Sequence, residues 1–201
     1  MNRIVRKHPS APATYADIEA LPENMVGEIV FGVLNAHPRP APPHAFAAFE
    51  LSGELRGPFR KGVDGPGGWT FLIESELHLA DHVIVPDIAG WRSVRLSGLS
   101  EKHYIETPSD WLCEILSPST ARIDRTDKLQ IYASFGVPHC WYVDPLAKTL
   151  EVLELQKEKY TIAATFKAGD DVTAPPFEAH TFPLNVLWPL DPADEEQPET
   201  P

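Results

Sequence analysis

Three stretches of the chain carry a helical spacing of apolar positions, and between them lie short apolar runs bounded by Gly, Pro and Ser, the punctuation of strands. Thr14 stands three residues before Asp17 and opens a short helix over Thr14–Leu21 that Pro22 ends. Gly27–Leu34 reads as a strand pair or a bent strand turning at Gly32. After the Pro-rich loop Pro38–Pro43, His44 starts a second helix that stops near Gly57-Pro58. Gly62–Gly68 is a turn, followed by strands over Trp69–Ile73, Glu76–Leu79 and Val83–Trp91. Pro108–Leu116 returns to the sheet, and Ser119 or Thr120 caps a third helix over Ala121–Phe135, closed by Gly136. Trp141–Pro145 is a further strand, and Thr149–Leu155 with Tyr160–Phe166 pairs most simply as a hairpin. This order of elements predicts an α/β (α+β) fold with a mixed central sheet.

The apolar run Trp111–Leu116 has an acid, Glu114, at its middle, and Val83–Ala89 has Asp87 directly after Pro86. A carboxylate inside a buried strand is costly unless it is paired, protonated or bound to a cation, so Glu114 calls for a partner. A Pro-Asp step on one strand and a Glu on another form half of a metal site.

Composition narrows the function. At 201 residues, with 43% hydrophobic and 23% charged residues, the chain is expected to form one globular domain over residues 14–190, with a flexible segment at 1–13 and an acidic, disordered tail at 191–201. The two cysteines, Cys113 and Cys140, lie in apolar runs without zinc spacing and read as reduced core residues of a cytoplasmic protein. No secretory leader and no run of membrane-spanning length is visible. The net charge of −12 matters more. A generic nucleic-acid binder relies on basic surface, and no basic stripe stands out along this chain, so a nucleic-acid role requires a local basic patch, a metal or a partner.

Gly27-Glu28-Ile29-Val30 with Gly32, His44, Pro86-Asp87-Ile88, Cys113–Thr120, Asp124–Lys128 with Tyr132, Gly136-Val137-Pro138 and Trp141–Pro145 occur in the fixed order of a known pattern. In them the chain resembles the Uma-two family, also called the domain of unknown function eight-twenty family, from about Tyr15 to about Leu190. The resemblance implies a PD-(D/E)xK restriction-endonuclease-like fold: a mixed central sheet flanked by helices, with additional antiparallel strands. It also implies a metal-dependent endonuclease acting on DNA as a homodimer, with Mg or Mn as cofactor. Asp87 and Glu114 would hold the metal with the Ile115 carbonyl as third ligand, Lys128 would act as the migrated catalytic lysine, and Glu28 matches an acid the fold often contributes. The lysine usual two residues after the Glu is replaced by Leu116.

Each residue also has a plainer reading. Asp87 could close a turn. Glu114 could pair with a buried Arg or Lys. Lys128 could form a surface helix pair with Asp124 four residues earlier, and Glu28 could be a strand-end acid. His44 is expected to cap a helix or face substrate, with metal contact as the alternative, and Tyr132 to pack in the core or face substrate. Leu116 and the acidic balance favour a second function class, a degenerate nuclease fold kept for binding or assembly. A hydrolase built on His and Cys has no activated thiol to support it.

Overall fold

The computed structural model describes residues 5–7, 11–96, 98, 99 and 101–189. The tail expected at 191–201 and Leu190 lie outside the described residues. Of the N-terminal segment expected to be flexible, Val5–Lys7 is strand β1 and pairs antiparallel with β3, while residues 1–4 and 8–10 are not described.

Helix α1 (Tyr15–Glu19) begins with the capping box that the Thr14/Asp17 spacing predicts: the Asp17 carboxylate accepts the Thr14 N–H at 2.9 Å. Strands β2 (Met25–Val30) and β3 (Val33–Pro38) form a tight hairpin. Its two turn residues, Phe31 and Gly32, both have positive φ, the type I′ geometry that matches strand twist. Helix α2 (Pro42–Leu55) carries a proline in its first turn and runs on into a π-helical turn, Arg56–Lys61. Strands β4 (Trp69–Ile73), β5 (Glu76–Leu79), β6 (His82–Ile84), β7 (Ile88–Arg92), β8 (Tyr104–Ile105) and β9 (Trp111–Ile115) follow. The third helix is continuous but not uniform: α3 (Ala121–Ile123), a π-helical turn over Asp124–Lys128, then α4 (Leu129–Ser134). Strands β10 (His139–Asp144), β11 (Thr149–Gln156) and β12 (Lys159–Lys167) complete the main sheets, and β13 (Asp171–Val172) pairs with β14 (Phe182–Pro183).

The expected single strand Val83–Trp91 is two strands in two different sheets. One sheet has the order β1-β3-β2-β6-β5-β8 and the other β12-β11-β10-β9-β7-β4. The chain crosses between them at Val85-Pro86-Asp87, because Pro86 has no N–H to continue a ladder. The second sheet is mixed, with β9 and β10 parallel and its other pairs antiparallel.

Alternation along β9 and β10 divides the core. Trp111, Cys113 and Ile115 face α2, where Ala47, Leu51 and Leu55 pack with Trp69, Trp141 and Phe177. Leu112 and Leu116 face the opposite side, against Ile131 and Tyr132 of α4 and Leu77 and Ile84 of the other sheet. Glu114 belongs to this second face by register. Cys113 and Cys140 fall on opposite faces and are both free. Among the described residues no helix is long and apolar enough to cross a membrane.

Candidate active site

Glu114 is 2% exposed at the centre of β9, and its partner comes from the helix that follows. Asp124, Lys128 and Tyr132 recur every four residues, so all three project from one side of the helix toward β9. The Lys128 Nζ lies 2.8 Å from Glu114 Oε1, 3.0 Å from Glu28 Oε1 and 3.2 Å from Asp124 Oδ1. The Tyr132 hydroxyl donates to the same Glu114 oxygen at 2.5 Å. Glu28, buried on β2, also accepts the Val85 N–H at 2.9 Å, which ties the first sheet to the crossing segment just before Asp87.

Asp87 sits where the chain enters β7. Its Oδ2 accepts the Ile115 N–H at 2.6 Å, and its Oδ1 faces His44 Nε2 at 3.2 Å. The β7–β9 pairing, Ile88 opposite Cys113, therefore sets Asp87 beside the end of the strand that carries Glu114. His44 reaches this point from the first turn of α2. One cleft of about 380 Å³ joins these groups, lined by Asp87, Glu114, Lys128, Asp124, His44 and His37.

Burial governs the protonation of this cluster. Desolvation pushes the Glu114 carboxyl well above its usual range despite the Lys128 ammonium beside it, and pushes Asp124 up for the same reason. Burial alone would lower the Lys128 ammonium, but Glu114 and Glu28 more than offset it and hold it well above its ordinary value. Burial likewise lowers the His44 imidazole, but the hydrogen bond to Asp87 and the charges of Asp87 and Glu74 together outweigh it, for a net upward shift. Desolvation, then the Glu114 charge, keep the Tyr132 phenol protonated.

The structure thus brings Glu28, Glu114 and Lys128 into direct contact and sets Asp87 and His44 against each other in the same cleft. The two readings of Glu114 converge, since the buried cation that pairs with it is Lys128 itself. Lys128 and Asp124 are 2% and 3% exposed, so their helix pair is formed but buried rather than on the surface. Tyr132 is fully buried behind Glu114 and is not among the residues that line the cleft. The Ile115 N–H serves as the clamp on Asp87, and its carbonyl lies toward His44.

Three ionisable lining residues went without a site role in the sequence: Asp124, His37 and Arg39. The signal for Asp124 was its four-residue spacing to Lys128 and Tyr132, which places it on the core side of the helix. His37, 3.9 Å from Glu28 Oε2, and Arg39 lie at the end of β3 and in the Pro-rich loop, where no periodicity marks them.

Among the described residues no three His, Cys, Asp or Glu side chains stand close enough to form a ready metal cage. The oxygen donors nonetheless suit a hard divalent cation: two carboxylates, Asp87 at the entry to β7 and Glu114 on β9, and the Ile115 backbone carbonyl at the same strand end. Lys128 and Tyr132 both contact Oε1 of Glu114, and neither contacts Oε2.

Residues 13–186 match the family Uma2, described as "Putative restriction endonuclease". The chain belongs to the Uma2 family. A solved structure described as "a putative nuclease belonging to DUF820", from Anabaena variabilis, superposes with a TM-score of 0.69 at 22% identity, covering 88% of this chain and 97% of that one. The Uma2 chain therefore shares a nuclease-like fold with that protein. No curated protein matches the chain.

Proposed function

We propose that this Uma2 protein is a divalent-metal-dependent endonuclease that hydrolyses phosphodiester bonds in DNA. The observation that carries the reading is the excess of negative charge in the cleft. Asp87, Glu114 and Asp124 line the cleft with Glu28 beside it; Lys128 pairs with Glu28, Glu114 and Asp124, and the His44 imidazole stands against Asp87. Buried carboxylates in such excess either take up protons or bind a cation. Asp87, Glu114 and the Ile115 carbonyl would hold Mg or Mn, with His44 beside Asp87. A divalent cation held there supplies Lewis acidity toward a water and toward phosphoryl oxygens.

The chain's own residues prepare the site for an in-line attack. The Ile115 N–H fixes the Asp87 carboxylate, and Tyr132 with Lys128 fixes Glu114. Lys128 supplies positive charge at the inner end of the cleft, where the charge of a pentavalent phosphorane would develop, so it does from the helix what a lysine in the place of Leu116 would do from the strand. One cleft acts on one strand, so cutting both strands of a duplex needs two copies or two encounters, in keeping with a homodimer.

The test is cleavage of plasmid and single-stranded oligonucleotides with Mg²⁺ or Mn²⁺. The parent is expected to cleave, and Asp87→Asn, Glu114→Gln and Lys128→Met to lose activity by on the order of 10²-fold or more. A folded parent that binds nucleic acid and cation but cleaves neither substrate would support the second reading, a binding module. That reading is favoured by Leu116 and by the engagement of Lys128 with three carboxylates at once.

A further inference from the structure

The protein carries a net charge of −12, yet the stretch from Arg39 to Lys61 has four cations, Arg39, Arg56, Arg60 and Lys61, against two acids, Glu50 and Glu54. The structure sorts them. Ala47, Ala48, Leu51 and Leu55 of α2 and Phe59 of the π-turn bury one side of the rod. Ala45, Phe49, Gly53, Arg56 and Arg60 recur at steps of three and four on the other side, and all are exposed, with Lys61 beside them. Arg56, Arg60 and Lys61 form no ion pair with any described residue, whereas Glu54 is taken up by His180 at 2.9 Å. Phe49 is 72% exposed in the middle of the stripe. At the other end of the rod, Ala41 and His44 line the cleft, and Arg39 stands at its lip with a 64% exposed side chain held only loosely, 3.9 Å from Glu74.

We propose that this outer face of α2 and its π-turn is the docking surface for the phosphate backbone of a nucleic acid whose scissile bond lies in the cleft. The inference rests on the nuclease reading of that cleft and adds to it where the rest of the substrate lies. From Ala45 to Arg60 the rod spans on the order of 20 Å, which matches roughly six phosphates of one strand at about 3.4 Å each. The chemistry is complementary at each point: guanidinium and ammonium groups for phosphates, and an exposed ring for a base or sugar face. A glycine at position 53 leaves open space next to the helix backbone, with nothing within 4 Å of where a side chain would begin, so a strand can approach closely there.

The test is equilibrium binding of single-stranded and duplex oligonucleotides to the full chain as a function of salt. The variants are the triple Arg56→Gln, Arg60→Gln, Lys61→Gln and a control triple, Lys148→Gln, Lys157→Gln, Lys159→Gln, which removes the same charge from exposed positions on the β10–β11 turn, the β11–β12 turn and the start of β12. The stripe triple is expected to bind duplex roughly 10²-fold more weakly at about 0.1 M salt, with a salt slope shallower by about 2.7, since each lost phosphate contact removes about 0.9. Its cleavage should show a raised KM with kcat retained, and the control should match the parent. A stripe triple that binds like the control, from a parent that binds and cleaves, overturns the docking surface and leaves the nuclease reading standing. A folded parent that binds no nucleic acid overturns both. Loss of a parental dimer in the stripe triple, read by light scattering with no change in nucleic-acid affinity, would give the face to a second copy of the chain and overturn the inference.

Discussion

Lys128 neutralises at most one of the three carboxylates it touches, and that imbalance determines how single substitutions should behave. Lys128→Met leaves Glu28, Glu114 and Asp124 buried without their cation, which should cost about 3–5 kcal/mol in a urea melt near neutral pH. Tyr132→Phe removes one hydrogen bond to a charged group while keeping the ring, so a smaller loss of about 1.5–3 kcal/mol is expected. The same cluster fixes a pH dependence. Desolvation raises the folded-state pKa of Glu114 and Asp124 above the unfolded values, so the folded protein holds protons that the unfolded chain has released. Their contribution to stability is full below the usual carboxylate range and is lost as pH rises through the raised values. Metal-free protein should therefore have a higher Tm near pH 5 than near pH 8, and Glu114→Gln should reduce that difference. An equal pH dependence in parent and variant would show that Glu114 is not the group responsible.

Elements place these residues through two features, one readable in the sequence and one not. The spacing of Asp124, Lys128 and Tyr132 was readable: a four-residue repeat that includes a core aromatic puts its polar members on the inner face. The π-turn over Asp124–Lys128 was not, because a widened turn has no residue signature, although such turns gather at functional sites. The break at Pro86-Asp87 was half readable. Proline marks an interruption of a ladder, but which sheet each half joins depends on partners far away in sequence. The helical step of Phe49, Arg56 and Arg60 was present in the sequence too, and it was obscured there by the acidic total. At this scale two glycines make opposite predictions. Gly53 lies in an exposed stretch of α2 with open space around it, so Gly53→Ala should stabilise the protein by about 0.5–1 kcal/mol in thermal melts. Gly90 on β7 lies where a Cβ would come within 2.9 Å of the Phe71 ring and 3.2 Å of Trp111, so Gly90→Ala should destabilise by about 1–3 kcal/mol.

Across the whole molecule, the two sheets meet where the chain crosses from β6 to β7, and the acids of the cleft come from both sides of that junction. Glu28 belongs to one sheet, Glu114 to the other, and Asp87 to the entry into β7. Motif order singled out Asp87, Glu114 and Lys128, which the structure sets around one cleft, whereas His37 and Arg39 join its wall only through the end of β3 and the β3–α2 connection. On the proposed reading, a chain of net charge −12 would meet a polyanionic substrate at two places, the basic stripe of α2 and a cleft that gains positive charge with a cation. The central claim is that Asp87 and Glu114 hold one divalent cation between them, and calorimetric titration of Mn²⁺ into the parent, Asp87→Ala and Glu114→Ala tests it most directly. One binding event in the parent, lost in both variants while their melts remain cooperative, is the predicted result. Binding that persists unchanged in both variants, or a folded parent that takes up no cation, would contradict the account.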